Sequence, residues 1–266
     1  MAHLCSHPPN ERRVRAERER SCGASGGETN ASHCTRTVIV VPSFALRVWV
    51  PDRPGALGAV ASRIGAVRGD LIGIDILERG GGRAIDELII DLPDADLVPL
   101  LIAEVGQVDG VDVEDVRPVP DKLHDPRLDA LETAAVLVDC QRVEDLLEEL
   151  ANHGCNDFEA EWAAVIDLDA PVPLAAVGAT PPTPWLGAFV AGSRSSTRVA
   201  AGECGPDDVA WASLGAADLA LVLGRRGRPF RARERRQLAA LTRIADSRWA
   251  ELVMRTTVAA HPSVAG

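Results

Sequence analysis

Between the alternating run FALRVWV (44–50) and the apolar series Leu57, Val60, Ala61, Ile64 and Val67 stands PDRPGAL, residues 51–57. Two prolines and a glycine within five residues restrict the backbone strongly. Pro54 biases Arg53 away from helical dihedrals, so a strand must end there. Gly55 accepts the left-handed region and puts no side chain in the path of an approaching group. A helix starting directly after it has free N–H groups at about residues 56–58, which favour an anion such as a carboxylate. Asp52 either caps that helix or pairs with an ammonium. The bland reading is an ordinary strand–helix turn with Asp52 as its cap; the other is a grip on both charged ends of an α-amino acid.

The pattern after the turn is regular. LIGIDILE (71–78), RGGG (79–82) and AIDELIIDL (84–92) predict an antiparallel hairpin closed by glycines. Asp94 is placed to cap a helix whose apolar positions include Leu97, Leu100, Leu101 and Val105. VDVEDVRPV (111–119) alternates as a last strand. The order is β-α-β-β-α-β, a ferredoxin-like split with both helices on one sheet face.

The chain of 266 residues is long enough for two domains. PVPDKLHDP (118–126) reads as a linker. Beyond it, 127–152 has helical periodicity, and VEDLLEELANHG predicts a helix ending at Gly154. EWAAVIDLD (161–169), PLAAVGA (173–179) and ADLALVLG (217–224) read as strands. TPPTPWLGAFVAGSRSST reads as a Pro-rich loop leading into a short helix. RARERRQLAALTRIADSRWAEL is a long helix with Leu238, Leu241, Ala245, Trp249 and Leu252 on one face. Residues 1–36 combine a charge run with a Gly/Ser-rich stretch and predict a disordered tail, as do 257–266. The expected organisation is therefore 1–36 tail, 37–120 first domain, 121–126 linker, 127–256 second domain and 257–266 tail.

Composition excludes several classes. A net charge of −11 argues against a bulk nucleic-acid or anionic-membrane binder. No 18-residue apolar run and no signal-type h-region is present, so the expectation is a cytoplasmic protein that does not engage a membrane. The six cysteines form no CxxC pair, and no cofactor, structural metal or disulfide framework is expected. Clusters such as His3, Cys5 and His7, or His33 with Cys34, fall in the N-terminal tail. Cys155 and Cys204 lack a His or basic partner at a recognisable spacing and read as inert. GSRSST (192–197) is no nucleophile elbow, and RGGG lies between two strands rather than at a strand–helix junction. Neither GxxxxGK[ST] nor HExxH occurs. The arginines of RERRQ (233–237) read as a solvated helix face. No enzymatic constellation emerges.

Residues 44–118 resemble an ACT domain, the small regulatory module that binds amino acids. The resemblance rests on FALRVWV, PDRPGAL, the following helix and GDLIGIDI, in that order. It implies that two copies join side by side through their sheets and hold an amino acid at the interface. The turn of one copy would face the start of the second strand of the other. The implied ligand residues are Asp52, Arg53, Pro54, Gly55, Ala56 and Leu57, with Asp70, Leu71 and Ile72 from the partner strand. Many ACT domains carry Asn where Asp70 stands here. An amide donates to a carboxylate, whereas an ionised Asp only accepts. So Asp70 meets the ammonium, or the ligand differs, or the site is empty. Residues 127–254 are similar, through element order and the RPF…ERRQL ending, to a GAF domain. The expectation is an α+β protein, a ferredoxin-like βαββαβ ACT domain followed by a GAF-like α/β sensor domain. It would act as a non-catalytic, amino-acid-binding regulatory homodimer. The alternative is a ligand-free dimerisation scaffold that regulates an unseen enzyme or transcription partner.

Overall fold

The computed structural model describes residues 42–119, 126–170, 172–200 and 206–260. The readings placed on residues 1–36, on most of 121–126 and on Cys204 lie outside these. Strand β1 (Ser43–Pro51) ends at the proline turn, and helix α1 (Ala56–Ala66) starts one residue after Gly55. Strands β2 (Asp70–Gly80) and β3 (Arg83–Asp91) form the hairpin. Gly81 and Gly82 between them both have positive φ, 59° and 77°, which a two-residue hairpin turn requires. Asp94 accepts from the Asp96 N–H and starts one turn of 3-10 helix, Ala95–Leu97, before α2 (Val98–Val105). Leu100 is exposed, so the apolar stripe of α2 is narrower than the sequence implied. Strand β4 (Asp112–Val119) completes an antiparallel sheet of order β2-β3-β1-β4.

Phe44, Leu46, Val48 and Val50 of β1 pack with Val60 and Ile64 of α1 and Leu101 and Val105 of α2. Both helices therefore cover one face of the first sheet.

In the second half, α3 (Pro126–Asp139) and α4 (Val143–Asp157) form a helix pair. Gly154 does not end α4. It lies inside the helix, where an added Cβ would meet Leu221 Cδ2 at 3.2 Å, so glycine here allows close packing on the sheet. The second sheet contains β5 (Trp162–Asp167), β6 (Pro173–Gly178), β7 (Val209–Leu214) and β8 (Leu219–Gly224), in the order β6-β5-β8-β7. Strand β7, VAWASL, is an addition to the sequence reading. Two helices, α5 (Thr183–Arg194) and α6 (Thr197–Ala200), follow β6. The last, α7 (Ala232–Ala260), runs into the stretch read as a C-terminal tail. One face of this sheet packs on α4 and α7, and the other packs Ile166, Ala220 and Val222 against Leu186 and Val190 of α5.

The two sheets belong to one compact unit. The face of the first sheet turned away from α1 and α2 meets the 225–234 segment through charge. Arg47, 1% exposed, donates to Glu87 at 2.8 Å and to the Pro229 carbonyl at 3.0 Å. Arg117 bridges Glu87 and Glu159, and Arg228 joins Glu159 from the other side. Arg225 pairs with the buried Glu234 at 2.6 Å, while Arg231 and Arg233 reach back to Glu114 and Asp75. Of the RERRQ arginines only Arg236 is exposed to solvent as expected; the other two face protein. Arg235 is buried against the carbonyls of Val209 and Pro206, and Arg233 closes an ion pair with the first sheet.

Candidate functional site

Gly55 sits at the N-cap of α1 with φ 86°, and no side chain caps the helix. The capping role considered for Asp52 is therefore not taken up. The Ala56 and Ala59 N–H groups reach Arg53 O and Gly55 O, whereas those of Leu57 and Gly58 meet no acceptor among the described residues. Two donors of the first turn thus remain for an arriving anion, strengthened by the positive end of the helix dipole. A Cβ built on Gly55 meets nothing within 4 Å, so the surroundings leave room and the backbone conformation alone demands glycine.

Asp52, Arg53, Pro54 and Gly55 are exposed, Leu57 is half-buried and Ala56 is in the core. The Asp52 N–H bonds Gly82 O at 3.0 Å, tying the turn to the glycine hairpin. Arg53 lies 3.9 Å from Asp109, a loose surface pair of little energetic weight. Asp86 of β3 stands in register with Val48, 4% exposed, and its Oδ1 accepts no hydrogen bond. Burial pushes the Asp86 carboxyl up, Arg79 opposes this, and the charge of Asp52 adds to it. Asp86 is a residue that sequence reasoning missed; a carboxylate within the apolar run AIDELIID was its only signal.

Asp70, Leu71 and Ile72 are elsewhere. Pro51 pairs with Arg83, and Asp70 pairs with Asp91 at the opposite end of β3. That separation is about 26 Å at the usual strand rise. A single chain does not bring the two sets of implied ligand residues together. Asp70 begins the edge strand β2, whose outer residues Ile72, Ile74 and Ile76 are 47%, 45% and 38% exposed.

Neither cysteine in the described residues is activated. Burial pushes both the Cys140 and the Cys155 thiol up, and Cys155 donates to Ala160 O at 3.1 Å. Among the described residues no three His, Cys, Asp or Glu side chains gather to hold a metal, and no helix is long and apolar enough to cross a membrane.

No family model and no curated protein matches this chain. Solved structures offer distant likenesses. The ACT domain of a GTP pyrophosphokinase from Chlorobium tepidum aligns over 29% of this chain and 96% of its own length, with 18% identity and a TM-score of 0.24. The C-terminal domain of the MgtC protein from Mycobacterium tuberculosis aligns over 32% and 97%, with 14% identity and a TM-score of 0.25. A bacteriophytochrome from R. palustris aligns over 68% of this chain and 48% of its own, with 12% identity and a TM-score of 0.31. At these scores the likenesses fix neither family nor activity.

Proposed function

We infer that this chain is a non-catalytic regulatory protein whose first half is an ACT-type, ferredoxin-like domain that binds an amino acid as a homodimer. The observation that carries the reading is the uncapped start of α1. Two N–H donors, at Leu57 and Gly58, stand open behind a left-handed Gly55. A ligand carboxylate satisfies them. The ammonium of the same ligand goes to Asp52, or to Asp70 of a second copy. Asp86 favours the same polarity, because a buried carboxylate oxygen without a partner gains from an incoming donor.

The second copy follows from the separation of the site's two parts and from the β2 edge. A free edge strand with three exposed isoleucines is a surface that proteins normally pair or cover. The second half, GAF-like in element order, would relay the bound state through the charged seam.

The test is a thermal melt of the full chain with each of the twenty amino acids, alongside light scattering. A ligand at a hundred times its dissociation constant raises stability by about 2.7 kcal/mol. Asp52→Ala weakens binding by roughly ten- to hundredfold, the range of a lost charged hydrogen bond. Gly55→Val removes the response while the protein still folds, at a cost of about 1–3 kcal/mol from the positive φ. If no amino acid shifts the wild type while a dimer persists, the ligand-free scaffold replaces this reading. A monodisperse monomer removes the shared site altogether.

A further inference from the structure

Asp86 carries a carboxylate that the fold itself does not use. It lies two residues before Leu88, which belongs to the core under α1, so strand alternation puts both side chains on one face. In register it stands between Val48 of β1 and Ile76 of β2. The residue is 4% exposed, and its Oδ1 has no hydrogen-bond partner. Arg79 and Asp52 act on it as charges, the first favouring ionisation and the second opposing it, and neither bonds that oxygen. A buried polar atom left open is costly. Such breaches of local rules concentrate at functional sites.

The carboxylate stands near the open start of α1. Arg83 faces Pro51 and Asp86 faces Val48, three residues further along β3, a separation of about 10 Å. Helix α1 runs back over this face, with Val60 and Val48 in one core, and the charge of Asp52 is felt at Asp86. The first turn of the helix leaves room, because a Cβ added to Gly55 or Gly58 meets nothing within 4 Å. Toward the sheet edge only β2 lies outside Asp86, and its Ile74 and Ile76 are half-exposed. An apolar strip open to solvent therefore borders the carboxylate.

The balance of charge decides what satisfies it. An α-amino acid brings one ammonium, which goes to Asp52 or to Asp70 of a second copy. Asp86 then still lacks a donor. A hydroxyl supplies the hydrogen bond, but only a cation also offsets the like charges of Asp52 and Asp86. We propose, on the basis of the amino-acid site at the β1–α1 turn, that its ligand is a basic amino acid whose side-chain cation meets Asp86. Its methylenes lie against Ile76. Lysine extends about 6 Å from Cα to its terminal nitrogen, so with a hydrogen bond at each end it spans a distance of that order. Asp86 is thereby the residue that separates basic from neutral amino acids.

The experiment is isothermal titration of the full chain at neutral pH with L-lysine, L-norleucine and L-glutamate. Lysine and norleucine have side chains of one length and differ in the terminal ammonium. Lysine binds saturably, norleucine binds at least about tenfold more weakly for want of the charged hydrogen bond, and glutamate does not bind. Asp86→Asn brings lysine to the affinity of norleucine and leaves norleucine unchanged. It melts no lower than the wild type, because a buried carboxylate without a partner has been removed. Gly55→Val abolishes the binding of both, since it reshapes the turn they share. The comparison of lysine with norleucine on the wild type holds whether or not Asp86→Asn folds. Norleucine or glutamate binding as tightly as lysine, or a preference for lysine that survives Asp86→Asn, overturns the role of Asp86 and leaves the turn site in place. No saturable binding of any of the three, or binding that Gly55→Val leaves unchanged, removes the turn site and the role of Asp86 with it.

Discussion

Strand β8 is buried from Leu219 to Gly224 and carries only aliphatic side chains and glycine, whereas β1, equally buried from Phe44 to Val48, has Arg47 in its middle. The difference lies in what covers the second face. Leu219, Leu221 and Leu223 join the core beneath α4 and α7, and Ala220 and Val222 join that of α5. Beneath β1 the same role falls to Arg47, Glu87, Arg117 and Glu159, with Trp49 held between Arg83 and Arg231 at 5.2 and 5.1 Å. An apolar layer stabilises through area removed from water and tolerates small shifts in register. A buried ionic layer adds little net stability, but it penalises any arrangement that leaves a charge unpaired. The first sheet is thus attached by specificity where the second is attached by burial, and only the first kind of seam responds to charge.

Removing one charge from the seam gives the largest effect. Arg47→Ala takes from Glu87 and Glu234 one of the two arginines each contacts, leaving Arg117 on the first and Arg225 on the second, and costs up to about 3–5 kcal/mol. Leu221→Ala, its counterpart in the apolar sheet, costs about 2–5 kcal/mol. The comparison sharpens in the rescue. Replacing the pair together, as Arg47→Met with Glu87→Leu, restores much of the stability, whereas no second substitution beside Leu221 short of refilling its volume does so. Denaturant melts of the single and paired variants measure this. A paired variant no more stable than Arg47→Ala breaks the distinction between the two seams.

Acid separates the sheets next. Burial pushes the Glu159 carboxyl up, but the hydrogen bonds and charges of Arg117 and Arg228 outweigh it and hold the group at about 2. Glu87 is likewise raised by burial and, on balance, lowered by Arg47 and Arg117. A carboxyl depressed in the folded state contributes stability that is complete above its unfolded value and disappears as pH falls through the folded one. The loss therefore runs from about pH 4.5 down to about 2. Because the Glu159 side chain is 40% exposed, solvent screening reduces its share to the order of 1 kcal/mol. Glu159→Gln flattens that acid limb, while Leu221→Ala lowers the whole curve without changing its shape. A Glu159→Gln limb as steep as the wild type's shows that other carboxylates set it.

Much of the fold was legible because its signals are local. RGGG dictates a hairpin, Pro54-Gly55 dictates a strand end and a helix start, and the α7 stripe follows a 3.6-residue period. What lay against each surface was not legible. Arg233 and Arg235 of RERRQ and Arg47 of FALRVWV look solvated in a local window, and only partners 26 to 182 residues away turn them inward. Strand β7 went unseen because VAWASL is short and half of its residues, Ala210, Ala212 and Ser213, are small, and Gly154 misled because close packing and helix termination both favour glycine. The turn at Asp52–Leu57 was the opposite case. Its geometry is set by its own residues, whereas Asp70–Ile72, the other residues of the proposed site, lie at the far end of β3 within the chain.

The smallest expected effect concerns how Glu159 is held. It is a non-glycine residue in the left-handed region, φ 46°, between α4 and β5. L residues other than Asn and Asp resist that conformation by about 1–2 kcal/mol, and such residues persist where surrounding contacts over-determine them. Here the contacts are Arg117 and Arg228 on the side chain, the Arg228 guanidinium on the carbonyl at 3.0 Å, and the Glu159 N–H on Asn156 O at 3.0 Å. Glu159→Ala and Glu159→Gly remove the same carboxylate and the same ion pairs, so their difference isolates the backbone. Glycine relieves the left-handed strain but adds freedom to the unfolded chain, which returns about half of the gain. Glu159→Gly should therefore be more stable than Glu159→Ala by roughly 0.5–1 kcal/mol, read as the difference between two denaturation midpoints at equal slope. If the alanine variant is the more stable, the residue is not left-handed in solution, and the seam around it is held by charge alone.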